Sequence, residues 1–96
     1  MYKDLDPLLH SQLRLAIVSL LMVHEEVDFN QIKDITNATS GNISVQIKKL
    51  QDAGYIDVIK SFKNNYQNTS LKITNKGINA FEDYVENLKQ YIKPAK

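Results

Sequence analysis

Ninety-six residues, 43% hydrophobic and 24% charged, suffice for one hydrophobic core but not two, and this balance excludes a disordered or fibrous chain. The absence of cysteine removes a disulfide framework, cysteine-ligated zinc and a thiol nucleophile together. The net charge of +1 conceals a change of sign: residues 1–39 sum to −3, residues 40–77 carry six lysines against Asp52 and Asp57 for +4, and the remainder is neutral. Such segregation points to one face built for an anionic partner. Residues 1–7 include Lys3, Asp4 and Asp6, and the longest apolar run, 13–23, is broken by Arg14. Neither a secretory signal nor a membrane span is therefore expected, and the cytoplasm is the expected location. The N-x-S/T triplets at Asn37, Asn42 and Asn68 then carry no glycosylation meaning.

In chain order, Asp6 before Pro7 suits the start of a short helical turn ending at His10. Ser11 is a suitable cap for a first helix running to about His24, apolar on most of its circumference and therefore central to a core. Residues 25–27 read as a brief extended link. Asp28 with Gln31 three residues later forms a capping box for a second helix, whose buried face is Phe29, Ile32 and Ile35. Residues 36–38 form a turn, and Thr39 caps a third helix running to Ala53. Gly54 follows as the left-handed terminator. Ile43, Ile47, Leu50 and Gly54 recur at helical spacing as the inward stripe of that helix.

The period then changes from helix to strand. Residues 55–62 read as a strand with Ile56 and Val58 on one face, 64–68 as a polar hairpin tip, and 69–74 as the return strand with Leu71 and Ile73. Thr74 caps a last helix over residues 75–93, stopped by Pro94. Its apolar residues Ile78, Phe81, Val85, Leu88 and Ile92 advance by 3, 4, 3 and 4, a heptad seam. The expected fold is mainly α with a small β-hairpin (α+β). It is one domain over 1–96, a winged helix-turn-helix with a three-helix core, a wing and a long C-terminal helix.

Several segments of this pattern carry a more specific similarity. The opening Leu5-Asp6-Pro7-Leu8-Leu9-His10-Ser11, the run Asp28-Phe29-Asn30, and the Gly41-Asn42-Ile43-Ser44 segment behind Thr39 are the first three. Leu50 to Tyr55, then Thr74, Lys76-Gly77 and Phe81, complete the set. Together they resemble small single-domain winged-helix transcriptional regulators, broadly related to the MarR and ArsR families, over nearly the whole chain. The resemblance implies a DNA-binding dimer. Two features depart from its usual pattern. Gln46 stands where histidine is common, and the wing has only Lys60, Lys63 and Lys72 near it.

With Ile43, Ile47 and Leu50 inward, Gly41, Val45, Lys48 and Asp52 lie on the opposite face of the third helix, flanked by Asn42, Ser44 and Lys49. Residues near the start of a recognition helix meet base edges in the major groove, and cations hold phosphates. The expected DNA contacts are Ser40, Asn42, Ser44, Val45, Gln46, Lys48 and Lys49, joined by Lys60 and Lys63 of the wing and by Arg14. Asn42 suits adenine, Val45 a thymine methyl, and Gln46 packing or a phosphate. For Arg14 a phosphate contact and an intramolecular ion pair are equally open.

On the last helix Phe81, Tyr84, Val85, Leu88, Tyr91 and Ile92 form the expected dimer interface, the alternative being a monomer in which this helix folds back on the first helix and the short N-terminal turn of its own chain. His10 and His24 lie fourteen residues apart, about 21 Å along a helix, too far to share a metal ion. No glycine-rich phosphate loop and no nucleophile–base pair is present, so neither cofactor nor enzyme activity is expected. The expected function is sequence-specific binding of double-stranded DNA by a homodimer, regulating transcription as a repressor. The alternative is a winged helix used for protein–protein contact without DNA.

Overall fold

The computed structural model describes residues 2–92, the side chain of Lys63 excepted. Seven elements follow one another: α1 (Gln12–Val23), β1 (Val27–Asp28), α2 (Phe29–Thr36), α3 (Ser40–Asp52), β2 (Ile56–Lys63), β3 (Tyr66–Ile73) and α4 (Asn75–Ile92). This is the winged-helix order expected from the sequence. The expected end of the last helix at residue 93 and its stop at Pro94 lie outside the described residues.

Local chemistry sets most boundaries. Asp6 accepts hydrogen bonds from the backbone N–H groups of Leu8, Leu9 and His10, which closes the short N-terminal turn. Ser11 stands at the N-cap of α1 without a side-chain capping bond. Asp28 and Gln31 bond reciprocally as a capping box, at 2.8 and 2.9 Å. Asn37, left-handed at φ 58°, ends α2. Thr39 Oγ1 accepts from Asn42 N–H to open α3, and Gly54, at φ 80°, turns the chain out of it.

Leu9, Ile17, Leu21, Ile32, Ile43, Leu50 and Leu71 meet in one core. Ile35, expected in the buried face of α2, is instead 61% exposed. Ile32 takes the centre of that face with Phe29 to one side, which leaves Ile35 turned toward solvent at the far end of a two-turn helix.

The wing is longer and tighter than the sequence suggested. The register from Ile56↔Ile73 to Lys63↔Tyr66 leaves a two-residue turn, Asn64-Asn65. Both turn residues have positive φ (52° and 68°), which asparagine tolerates and a type I′ hairpin requires. Tyr66, Gln67 and Asn68, expected in the tip, belong to β3 instead. The expected link at 25–27 ends in β1, which pairs antiparallel with β3 through Val27↔Leu71, giving a three-stranded sheet in the order β1-β3-β2.

The apolar seam of α4 divides between two environments. Tyr84, assigned from sequence to a dimer interface, is only 4% exposed and lies in the core of its own chain. Its hydroxyl sits 3.0 Å from His10 Nδ1. Tyr91 donates its hydroxyl to the Lys3 carbonyl (2.9 Å), and its ring packs against Tyr2 with centroids 4.8 Å apart. The Lys3 N–H donates to Gln90 Oε1. The N-terminal segment thus lies along α4, while Val85 and Ile92 remain exposed.

Glycine is required where α4 begins. A Cβ on Gly77 would stand 2.2 Å from the Tyr55 carbonyl oxygen, whereas one on Gly41 would meet nothing within 4 Å. Gly77→Ala is expected to destabilise the protein by about 1–3 kcal/mol through overpacking against backbone. Gly41→Ala should be neutral, or stabilising by about 0.5–1 kcal/mol as Ala is the better helix former. Thermal melts of the two variants check both outcomes.

Candidate nucleic-acid interface

Burying Ile43, Ile47 and Leu50 turns the other side of α3 to solvent. Ser40, Gly41, Asn42, Ser44, Val45, Lys48 and Lys49 are all exposed there, in the arrangement the periodicity required. Val45, an apolar side chain, is 51% exposed. Thr39 supplies the first-turn cap, so Asn42 and Ser44 keep their side chains free of capping duty.

The hairpin lies beside this face. Ser44, Lys48 and Gln51 of α3 face Val58, Lys60 and Thr69 of the wing across a cleft of about 230 Å³. One lysine from each side and three uncharged polar side chains therefore converge. Lys48 is bonded to Asp52 at 2.8 Å, both groups largely exposed, a pairing worth little in water. Lys49 and Lys60 have no ion-pair partner among the described residues. Lys72 points to the other side of the sheet, 3.9 Å from Glu26. The side chain of Lys63, an expected contact, lies outside the described residues.

Arg14 and Gln46 are placed differently from the rest. Arg14 Nε donates to the Leu8 carbonyl (2.6 Å), and its Nη1 donates to Gln46 Oε1. Gln46 Nε2 in turn donates to Asn42 Oδ1 at 2.9 Å. Within the chain its partners are a carbonyl and an amide rather than a carboxylate, so the ion-pair alternative has no carboxylate partner among the described residues. The i,i+4 spacings of Asn42 with Gln46 and of Lys48 with Asp52 were the available signals for these two pairs. Thr69 and Gln51 carried none, because the cleft they line forms only when the wing folds over α3.

No group of three or more His, Asp or Glu side chains able to hold a metal ion occurs among the described residues. No described helix is long and apolar enough to cross a membrane.

An open polar helix face beside a two-stranded wing, on a three-helix core, defines a winged helix-turn-helix. The chain belongs to the winged helix DNA-binding domain family, whose model matches residues 13–92. An uncharacterized protein of Methanocaldococcus jannaschii is 37% identical over 84 residues, covering 88% of this chain and 91% of that one. A transcriptional regulator homologue from Pyrococcus horikoshii superposes with a TM-score of 0.82 at 26% identity, covering 88% of this chain and 84% of its own. Bacillus subtilis PadR in complex with operator DNA has a TM-score of 0.70 at 21% identity, over 78% of this chain and 47% of that one. A mutant MarR from E. coli, complexed with operator DNA, has a TM-score of 0.73 at 14% identity, over 90% and 61%. At those identities the last two likenesses concern the fold alone.

Tyr55, just after α3, anchors this frame to the N-terminal segment by donating its hydroxyl to Asp6 Oδ2 at 2.5 Å. Burial first, then the hydrogen bond and charge of Asp6, push its phenol from 10.0 up to about 12. A folded-state value above the unfolded one means the contribution is complete below pH 10 and lost as pH rises through about 12. Ultraviolet titration should show the Tyr55 phenol ionising late. Tyr55→Phe should remove that late ionisation and flatten the stability loss across the same pH window.

Proposed function

We propose that this chain is a cytoplasmic homodimeric regulator that binds double-stranded DNA in a sequence-specific manner. In this reading α3 enters the major groove, and the β2–β3 wing lies on the backbone or in the minor groove. The observation that carries it is the cleft joining Ser44 and Lys48 of α3 to Lys60 of the wing. Short hydrogen-bonding side chains at the helix start suit base edges, and lysines a turn later suit phosphates. Ser40, Asn42, Ser44 and Val45 are assigned to the groove, and Lys48, Lys49, Lys60 and Lys63 to the backbone. Arg14 and Gln46 support them from behind.

The dimer reading rests on α4. Phe81 and Leu88 are partly covered, while Val85 and Ile92 are 37% and 70% exposed on the flank the N-terminal segment leaves open. That flank suits the same helix of a second copy across a two-fold axis. Tyr84 and Tyr91 support the interface from within their own chain. Two half-sites about 34 Å apart would then be read together, and occupying them blocks transcription, a repressor's action.

A second reading, protein contact through the wing, is favoured by Phe62 and Tyr66, which are 77% and 78% exposed near the hairpin turn. Serine at both positions should leave duplex affinity within twofold if the wing meets only backbone.

Affinity for random duplex DNA should fall steeply with salt. Three phosphates neutralised per protomer give a log–log slope of roughly −5 for a dimer, from ~0.9 per phosphate. Lys48→Ala with Lys49→Ala should weaken binding to every sequence and flatten that slope. Asp52→Asn, which removes an anion beside Lys48, should strengthen non-specific binding at low salt, by up to about fivefold for ~1 kcal/mol. A flat salt response refutes the DNA reading.

Sedimentation at tens of micromolar tests the dimer. The parent should be dimeric, and Val85→Glu with Ile92→Glu a folded monomer, since carboxylates are strongly disfavoured in an apolar interface. A monomeric parent refutes the interface.

A further inference from the structure

Among the exposed side chains of α3, Asn42 has its conformation set by another residue. Its Oδ1 accepts from Gln46 Nε2 at 2.9 Å. Gln46 cannot reverse its own amide, because its Oε1 is held by Arg14, and a guanidinium donates without accepting. Arg14 is itself fixed by the Leu8 carbonyl at 2.6 Å. The polarity of the relay is therefore set at its origin: Arg14 donates to Gln46, and Gln46 donates to Asn42. A carboxamide is planar with oxygen and nitrogen on opposite sides, so turning Oδ1 back along α3 toward Gln46 directs Nδ2, with its two N–H donors, away from it.

We infer that Gln46 is a specificity-determining positioning residue that holds Asn42 as a hydrogen-bond donor, so that Asn42 reads the acceptor edge of guanine. This rests on the proposed placement of α3 in the major groove. An unconstrained asparagine pairs with adenine by donating to N7 and accepting from N6. Asn42, with its oxygen turned away, is poorly placed to accept, whereas guanine presents two acceptors, N7 and O6, to a donor. The adenine pairing expected from residue type alone is thereby replaced by a guanine pairing set by the neighbour four residues on.

The relay supplies its own test. Glutamate at position 46 keeps length and can still bond to Arg14, but it offers Asn42 only acceptors. Asn42 must then turn Nδ2 toward residue 46 and present Oδ1 outward, toward adenine N6 or cytosine N4. Duplexes selected from a random pool by the parent supply the reference site, and Asn42→Ala identifies the base pair where preference disappears. At that pair the parent should prefer guanine by about tenfold. Gln46→Glu should invert the preference in favour of adenine or cytosine. Gln46→Met, which neither donates nor accepts strongly, should abolish selectivity there without inverting it. Preferences are compared as ratios within one variant, so a general loss of affinity from added negative charge cancels, and thermal melts confirm that each variant is folded.

Hydrogen exchange of side-chain amides, followed by NMR on the protein alone, gives a DNA-free arm. The Gln46 amide should be the protected one in the parent, and the Asn42 amide in Gln46→Glu. A protected Asn42 amide in the parent, or an unchanged preference in Gln46→Glu, overturns the inference. Absence of duplex binding at low salt overturns the base-reading role together with the proposed function, and the amide pattern then separates a wrong partner from a wrong network.

Discussion

The structure converges on the backbone of Tyr55. Its carbonyl accepts the Thr74 N–H at 3.0 Å, joining the end of the wing to its beginning. The same carbonyl stands where any side chain at position 77 would have to go. Thr74 reaches across to donate its hydroxyl to the Gly54 carbonyl and accepts the Gly77 N–H, so the start of α4 is built on the turn that ends α3. Lys76 covers the Tyr55 ring at 5.8 Å, and the Tyr55 hydroxyl reaches Asp6. The end of α3, the wing, α4 and the N-terminal segment all meet at this junction. A shift of Tyr55 would move them against one another, and backbone-to-backbone contact leaves little room to absorb it.

What could be read from the sequence was local. Asp28 with Gln31, Thr39 before α3, Gly54 after it and Thr74 before α4 each satisfy backbone groups within a few residues, and each stands where its chemistry required. Ile43, Ile47 and Leu50 set which side of α3 is exposed through a 3.6-residue period, which needs no knowledge of the partner surface. The exposed positions of α3 followed directly from them. The hairpin was legible as a hairpin but not in its length, because Tyr66, Gln67 and Asn68 are polar or exposed and pair by backbone alone beyond the core.

What could not be read was produced by packing between distant segments. β1 is two residues long and is a strand only because β3 lies beside it. Tyr84 lies alongside a heptad seam that suits a partner helix equally well, and its placement was decided by an N-terminal segment 74 residues away in sequence. Ile35 had the spacing of a buried residue on a helix too short to bury it. Arg14 carried a charge in an apolar helix, which signals a partner without saying which. Its partners are a carbonyl six residues earlier and an amide thirty-two residues later, a combination that no spacing rule anticipates.

The N-terminal segment links α4 to the start of α3. At one end Lys3 is bonded to Gln90 and Tyr91 of α4. At the other the Leu8 carbonyl fixes Arg14, and through it the side chains at the start of α3. Between them Asp6 holds Tyr55, and just beyond Leu8 His10 meets Tyr84. In the proposed two-fold assembly through α4, the distance between the two α3 helices depends on how rigidly each is held to its own α4. Direct packing between those two helices is sparse, and α1 is the helix that lies between them. The N-terminal segment, bonded directly to α4 and reaching α3 through Arg14, adds to the constraint imposed at Tyr55. Residues 2–10, with Leu9 in the core and Leu5 and Leu8 packed against it, thus couple the orientation of α4 to the end of α3 at Tyr55 and to Gln46 by way of Arg14.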